Sequence, residues 1–317
     1  MHHLEVVSHT DVQHLDQLPE LIEASTLADG HEPLGEHKFL RIQSGDDLAL
    51  ALVAYEAGRL AGYAHTLAYG DAASRRVSCE FVVHPQERGR GVGRLLLSRA
   101  LEHAIGQGAR SMDVWAYNDS RTSSHMAREM GFAPKRRLLH LHRHLTSVPR
   151  PDTPAGAGIR AYRPGADDAT WLALNNRIFS GHPENGCWTL DDLRARLAQP
   201  WFCAEDFLVL EVDGVMAGYC WLKVEERGTE RRVGEIYVIG TAPQYRGLGL
   251  GKYLVAAALA HLRCREVNVA AIYVDEANVA ACALYEQSGF HYHHVDVCYS
   301  RDLRAAETLP TRDEAAA

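Results

Sequence analysis

The chain has 317 residues, 46% of them hydrophobic and 23% charged, which is enough for two domains that each bury a core. Its net charge of -8 argues against nucleic acid as the main partner, because phosphate backbones are gripped by basic surface. No apolar run approaches the roughly 18 residues of a membrane helix, and Met1-His2-His3-Leu4-Glu5 lacks the basic start and apolar core of a signal peptide. No membrane contact and a cytoplasmic location are therefore expected. Seven scattered cysteines fit reduced thiols and neither a disulfide framework nor a zinc site.

From Met1 to about Leu145 the sequence reads as one unit, in which the strand Glu80-Phe81-Val82-Val83-His84-Pro85 enters the turn Arg88-Gly89-Arg90-Gly91-Val92-Gly93. The same order of strand, turn and helix recurs between Gly234 and Leu254. Arg88 and Arg246 lie 158 positions apart, as do Gly131 and Gly289, so the chain reads as two tandem copies. Residues 146–158 hold three prolines and two glycines and read as a linker. After it come a strand at Ile159–Tyr162, helices through Asn175-Asn176 and from Leu190 to Leu197, then strands Phe207–Val212 and Ala217–Val224 turning at Asp213-Gly214. The expected domains are 1–145 and 159–305, with a frayed tail at 306–317. Each mixes strands and helices around a central sheet, an α/β or α+β layer architecture.

The second turn is the more informative. Alternation over Glu235-Ile236-Tyr237-Val238-Ile239 predicts a strand, Gly240 and Pro243 break it, and Leu250, Leu254, Ala258, Leu259 and Leu262 form one helical stripe. Between them, glycines in Arg246-Gly247-Leu248-Gly249-Leu250-Gly251 let backbone N–H groups converge at the positive end of a helix, which suits a pyrophosphate. Neither a Walker loop nor a dinucleotide fingerprint is present.

Arg-Gly-x-Gly-x-Gly after a strand carrying a glutamate resembles the acyl-CoA loop of the GNAT acetyltransferase superfamily. That resemblance implies two tandem GNAT domains, each a mixed sheet whose fourth and fifth strands splay apart to admit the pantetheine arm of acetyl-CoA. Gly240 is the expected place of the bulge that begins the splay. Acetyl transfer to an amine needs a base, an oxyanion stabiliser and an acid for the departing thiolate. By period two, Glu235, Tyr237 and Ile239 share one strand face, which makes Glu235 the candidate base. The helix from Asn278 to Tyr285 resembles the GNAT helix that ends in a tyrosine beside the thiol, which makes Tyr285 the candidate acid. Their counterparts in the first copy are Val77 and Ala127, and Glu80 has the opposite parity. The first copy is expected to bind acetyl-CoA without turnover.

Leu34-Gly35-Glu36, Gly181-His182-Pro183-Glu184-Asn185-Gly186-Cys187-Trp188, Trp221-Leu222-Lys223-Val224 and Asn278-Val279-Ala280-Ala281 are similar to segments of the mycothiol synthase family within that superfamily. The similarity implies acetylation of the cysteinyl amine of Cys-GlcN-Ins, a small-molecule acceptor held by Glu36, Glu184, Lys223, Glu235 and Tyr273. It also implies acetyl-CoA contacts from Ile239, Gly240, Thr241, Gln244, Tyr245, Arg246, Gly247, Leu248, Gly249 and Leu250, and from Asn278, Val279, Ala280, Ala281, Cys282 and Ala283. In the first copy the matching positions are Phe81, Val82 and Val83 with Arg88, Gly89, Arg90, Gly91, Val92 and Gly93. A backbone N–H near Ile239 to Thr241 would steady the oxyanion. An acidic cleft would also suit an aminoglycoside or a peptide amine, and a pair of non-catalytic acetyl-CoA sensor modules is a third reading. Two histidine groups, His140, His142 and His144 and then His291, His293 and His294, lack a cysteine or carboxylate at a usual spacing. They read as solvated strand faces, so no metal is expected, and the chain is expected to be a monomer.

Overall fold

The computed structural model describes residues 3–8, 15–35, 49–71, 73–148, 152–181, 186–224 and 232–304. They fall into two compact units, Met1–Arg137 with Val295–Ala317, and Leu138–His294. No helix among the described residues is long and apolar enough to cross a membrane.

The first unit contains β1 (His3–Ser8), α1 (Leu18–Asp29), β2 (Ala49–Glu56), β3 (Arg59–Tyr69), β4 (Arg76–Val83), α2 (Val92–Gly106), β5 (Ser111–Ala116), α3 (Arg121–Glu129) and the start of β6 (Ala133–His144). The second contains the end of β6, then β7 (Ala157–Ala161), α4 (Asp168–Ile178), α5 (Leu190–Leu197), β8 (Phe207–Val212), β9 (Val215–Val224), β10 (Val233–Thr241), α6 (Leu250–Cys264), β11 (Val269–Asp275), α7 (Val279–Gln287) and the start of β12 (His291–Asp302). The end of β12 belongs to the first unit, where it runs antiparallel to β5 from Val297↔Ala116 to Asp302↔Ser111. The end of β6 belongs to the second, antiparallel to β11 from Val269↔His144 to Asp275↔Leu138. Each unit thus receives its last strand from the other sequence copy. The strand orders match: β1-β2-β3-β4-β5-β12 in one, and β7-β8-β9-β10-β11-β6 in the other. In each, among the described residues, the parallel pair is the fourth strand with the fifth.

Local chemistry accounts for the elements. Asp213 and Gly214 both take positive φ, 50° and 79°, the geometry of a tight two-residue hairpin turn between β8 and β9. The stripe expected on α6 is buried in full, from Leu250 to Leu262, and packs against Ile236, Leu222 and Ile272 on one face of the sheet. A cluster of Trp171, Trp188, Trp221, Phe207 and Tyr219 fills the other face, beneath α4 and α5. Gly131 and Gly289 end α3 and α7 in the left-handed region, at φ 78° and 79°. Arg301 donates to the Met130 carbonyl at 2.7 Å, and Arg143 donates to the Ser288 carbonyl. Each of these arginines comes from the exchanged half of a final strand, so the repeat is kept in space although the chain has crossed over.

One buried acid stands out in the first unit. Asp296 on β12 is 2% exposed and accepts the Asn118 backbone N–H at 2.8 Å, at a turn where Asn118 has φ 47°. Burial raises its pKa from the ordinary 3.8 to about 6. A carboxyl whose folded pKa is raised favours folding in its protonated form. Its contribution is therefore whole below about pH 4 and is lost as pH rises through about 6. Asp296→Asn keeps an acceptor for Asn118 and cannot ionise. It should match the parent at pH 4 and exceed it at pH 7.5 by up to about 3 kcal/mol, measured by urea unfolding at the two pH values.

Candidate active site

The site in the second unit begins where two strands part. β10 pairs with β9 as far as Thr241↔Gly218, but with β11 only from Val233↔Val269 to Ile236↔Ile272. Beyond that point the parallel ladder stops while both strands continue. The first unit repeats this, with β4 and β5 paired only from Arg76↔Ser111 to Cys79↔Val114. The expected splay is present in both copies.

The bulge lies elsewhere than expected. Register with β9 shifts between Ile236 and Val238, so Tyr237 is the extra residue, three positions before Gly240. Gly240 stays in register with Tyr219. It is small for another reason: a Cβ there would lie 2.8 Å from Ile178 Cγ2. The bulge also breaks the period-two expectation. Ile236 packs against α6, whereas Val238 packs into the tryptophan cluster on the opposite face, and Ile239 returns to the α6 side. Glu235 and Tyr237 therefore share the tryptophan face, and Ile239 does not share it with them, because one inserted residue reverses the alternation. In the first unit β3 and β4 stay in register from Gly62↔Val83 to Tyr69↔Arg76 with no bulge.

Glu235 is half-buried and stands opposite Lys223 across the β9–β10 pair. Lys223 Nζ lies 5.1 Å from the Trp201 ring centroid. Trp201 packs on Tyr237 and Trp221, with centroids 5.2 and 5.8 Å away. Buried Arg196 on α5 donates through Nε to the Tyr237 hydroxyl at 3.1 Å and lies 3.9 Å from the Trp188 ring centroid. Asn176 on α4 clamps the Trp188 backbone, accepting its N–H at 3.0 Å and donating to its carbonyl at 2.8 Å. The carboxylate thus sits beside a fixed aromatic wall. Trp201, Tyr237 and Arg196 were not legible as site residues, since a tryptophan or a helical arginine carries no motif.

The turns before α6 and α2 are alike. Gly247 and Gly249 have φ 80° and 75°, and Gly89 and Gly91 have 76° and 88°. Each helix starts on the second of these glycines, so the N–H groups of its first turn lack intrahelical partners and face the loop. Gln244 and Tyr245 form a short 3-10 turn before Arg246. In the first copy, Arg88 is held in a two-pronged pair with Asp29 at 2.6 and 2.7 Å, and Arg90 bonds Glu87 at 2.9 Å. On α7, Asn278 caps the helix by accepting the Ala281 N–H at 3.2 Å, while Val279 is exposed. Cys282 lies within reach of the Asp275 carbonyl.

Tyr285 is buried in the α6-side cluster against Phe290, 5.9 Å between ring centroids. Burial pushes its hydroxyl pKa well above the usual phenol range, so the proton is retained. Glu235 and Tyr285 belong to opposite faces of the sheet, the tryptophan side and the α6 side. The counterparts Val77 and Ala127 are both buried and carry no proton. Glu80 in the first unit accepts the Gly35 N–H and the Tyr117 hydroxyl, each at 2.7 Å, with His65 at 3.4 Å. That carboxylate is engaged in holding a loop.

Tyr273 is 36% exposed and stacks flat on His140, with centroids 4.1 Å apart. It lies on the same face as Glu235, through Glu235↔Ala271 and the alternation along β11. Glu36 and Glu184 lie outside the described residues. The two histidine groups, read separately from sequence, meet: His140, His142 and His293 each bring a ring nitrogen within 4.8 Å of the others. His144 is exposed.

Comparison with known proteins agrees with this fold. The acetyltransferase (GNAT) family model matches twice, at residues 15–132 and 171–290. A GCN5-related N-acetyltransferase from Sphaerobacter thermophilus superposes with a TM-score of 0.67 at 22% identity, covering 96% of each chain. A tandem GNAT protein from the clavulanic acid biosynthesis pathway gives 0.71 at 18% identity, covering 95% of this chain and 98% of that one. The protein is a tandem GNAT acetyltransferase. Mycothiol acetyltransferase of Thermobispora bispora is 41% identical over 89% of this chain and 94% of its own. That of Salinispora arenicola is 44% identical over the same shares. The chain belongs to the mycothiol acetyltransferase family.

The loop geometry has a direct consequence. Gly249→Ala places an L-residue in the left-handed region and should cost about 1–2 kcal/mol of stability. Gly251→Ala, where the new Cβ would meet only Leu284 at 3.4 Å, should be nearly neutral. Thermal unfolding of the two variants checks the difference.

Proposed function

We propose that the second unit transfers the acetyl group of acetyl-CoA to the cysteinyl amine of Cys-GlcN-Ins, releasing CoA and mycothiol. What supports this reading is that Glu235 and Tyr285 lie on opposite faces of the sheet in which β10 parts from β11 after Ile236. The names of relatives at 41% and 44% identity point to the acceptor.

The steps follow from the residues. The pyrophosphate of acetyl-CoA takes the N–H groups of Gly247 to Leu250 at the start of α6, and the pantetheine arm enters the gap. An α-amine has an ordinary pKa of roughly 7.7–8.0, so a carboxylate near pH 7 suffices to complete its deprotonation. Glu235, directly or through a water, takes that proton. The neutral amine attacks the thioester carbon, and a backbone N–H of Ile239 to Thr241, past the end of the β11 ladder, steadies the oxyanion. The C–S bond then breaks, the Tyr285 hydroxyl gives its proton to sulfur, and the surplus proton on the attacking nitrogen is lost to solvent, from which Tyr285 is reprotonated. Lys223 and Tyr273, with Glu184, hold the hydroxyl-rich acceptor. The first unit binds acetyl-CoA without turnover, since Val77 and Ala127 replace the two proton carriers. We place the enzyme in the cytoplasm as a monomer, with no metal in the transfer step.

Turnover with acetyl-CoA should strongly prefer the cysteinyl pseudodisaccharide over simple amines and an aminoglycoside. Preference for another amine would move the assignment to a different acceptor, and no turnover with any would favour an acetyl-CoA sensor. Glu235→Gln should lower kcat by about 10²- to 10⁴-fold, with KM for acetyl-CoA little changed. A near-parental kcat would remove Glu235 as base. Tyr285→Phe should lower kcat by at least about 10-fold through the loss of acid help, while the melting temperature, read alongside, stays close to the parent's.

A further inference from the structure

The histidine cluster in the second unit is not used by the acetyl-transfer chemistry, and its geometry is that of a ligand set. His142 is in register with Ala271 and His140 with Tyr273, so both histidines point to the sheet face that carries Glu235. The start of β12 brings His293 to the same spot, with ring centroids 3.9 Å from His142 and 5.6 Å from His140. His140 and His142 are themselves 4.6 Å apart. One ring nitrogen from each of the three lies within 4.8 Å of the other two.

Two further contacts fix these rings. Buried His294 sets its Nδ1 2.8 Å from His293 Nδ1 and 3.3 Å from His140 Nδ1, so its one hydrogen bond there can brace either of these two rings. Tyr273 lies flat on His140, with planes inclined by 7°. Rings held by neighbours lose little freedom when a ligand binds, which favours affinity. His293 is exposed, so an ion has a path from solvent.

We propose that His140, His142 and His293 form a binding site for one divalent transition ion of the zinc class, with His294 as the positioning residue. Imidazole nitrogen is the donor preferred by zinc, cobalt, nickel and copper, and hard ions that want oxygen are disfavoured here. Around tetrahedral zinc, nitrogen ligands at about 2.0–2.1 Å stand roughly 3.3 Å from one another. Closing the present spacing to that value takes side-chain rotation and no change in strand register. Three protein ligands leave the fourth position for water or a small outside ligand. The ion would sit on the Glu235 face, with only the Ala271 strand between His142 and Glu235.

The test uses the full chain, freed of metal by chelator and titrated with cobalt(II), with zinc(II) then competing against a chromophoric chelator. One equivalent of cobalt should give visible d–d bands with no thiolate charge-transfer band. His142→Ala and His293→Ala should each weaken zinc binding by at least about 10-fold, while His144→Ala, on the same strand and outside the cluster, binds like the parent. A thiolate band would place the ion on cysteines, of which Cys187 and Cys264 are exposed, and would overturn the site. So would zinc affinity unchanged in both variants, or no spectral change at saturating cobalt. If His142→Ala does not fold, exposed His293 still decides, through His293→Ala and His293→Gln.

Discussion

The second unit is organised by a ladder that stops. Backbone N–H and C=O groups need partners, yet β10 and β11 exchange bonds over only four registered pairs before the strands separate. In the second unit an inserted residue, Tyr237, marks this point, although the first unit's strands part without one. A bulge bends and twists its strand, and here it falls immediately after the last paired position, Ile236. The edges so exposed suit an extended, amide-bearing chain, which could bond to them as an added strand does. The rest of the site takes its place from that gap. The N-terminus of α6 follows β10 by one short loop, Glu235 precedes the bulge, and Tyr285 comes from the helix after β11.

The two copies separate what the frame supplies from what the chemistry needs. Both have the parted strands, the paired left-handed glycines and the helix that begins on the second of them. Only the second has the bulge, the carboxylate and the tyrosine. In the first, the strand stays in register and Glu80 serves Gly35 and Tyr117. A cradle made of backbone persists through side-chain change, because its donors are amides that every residue carries. The proposed proton transfer depends on particular side chains, and at those two positions the first copy has Val77 and Ala127.

Much of this was legible in the sequence, for stated reasons. Glycine at Gly247 and Gly249 announces positive φ, and the leucine stripe of α6 announces its buried face. The shift of 158 then tested Glu235 and Tyr285 against Val77 and Ala127 without any coordinates. What was not legible depends on partners distant in the chain. Alternation predicts faces only while register holds, so the bulge at Tyr237 put Ile239 on the wrong side. Gly240 looked like the bulge but answers to Ile178, some sixty positions earlier in sequence. The histidines were split into two harmless strips because nothing in a linear reading says that β6 ends, and β12 begins, in the same unit.

That Glu235 and Tyr285 lie on opposite faces bears on the reaction itself. In the proposed transfer, the amine approaches the thioester carbon from one side of its plane, and the tetrahedral intermediate expels sulfur from another. A thioester lying in the gap, roughly within the sheet, would present its attacked face to Glu235 and its sulfur toward the α6 side. No single residue could then both take the amine's proton and return one to sulfur. Two groups with opposite proton affinities are needed: a half-exposed carboxylate, and a phenol whose proton burial retains. The bulge serves this division. By reversing the alternation after Glu235, it leaves the proposed base on the tryptophan face while Ile239 turns toward the face that carries Tyr285, the proposed acid.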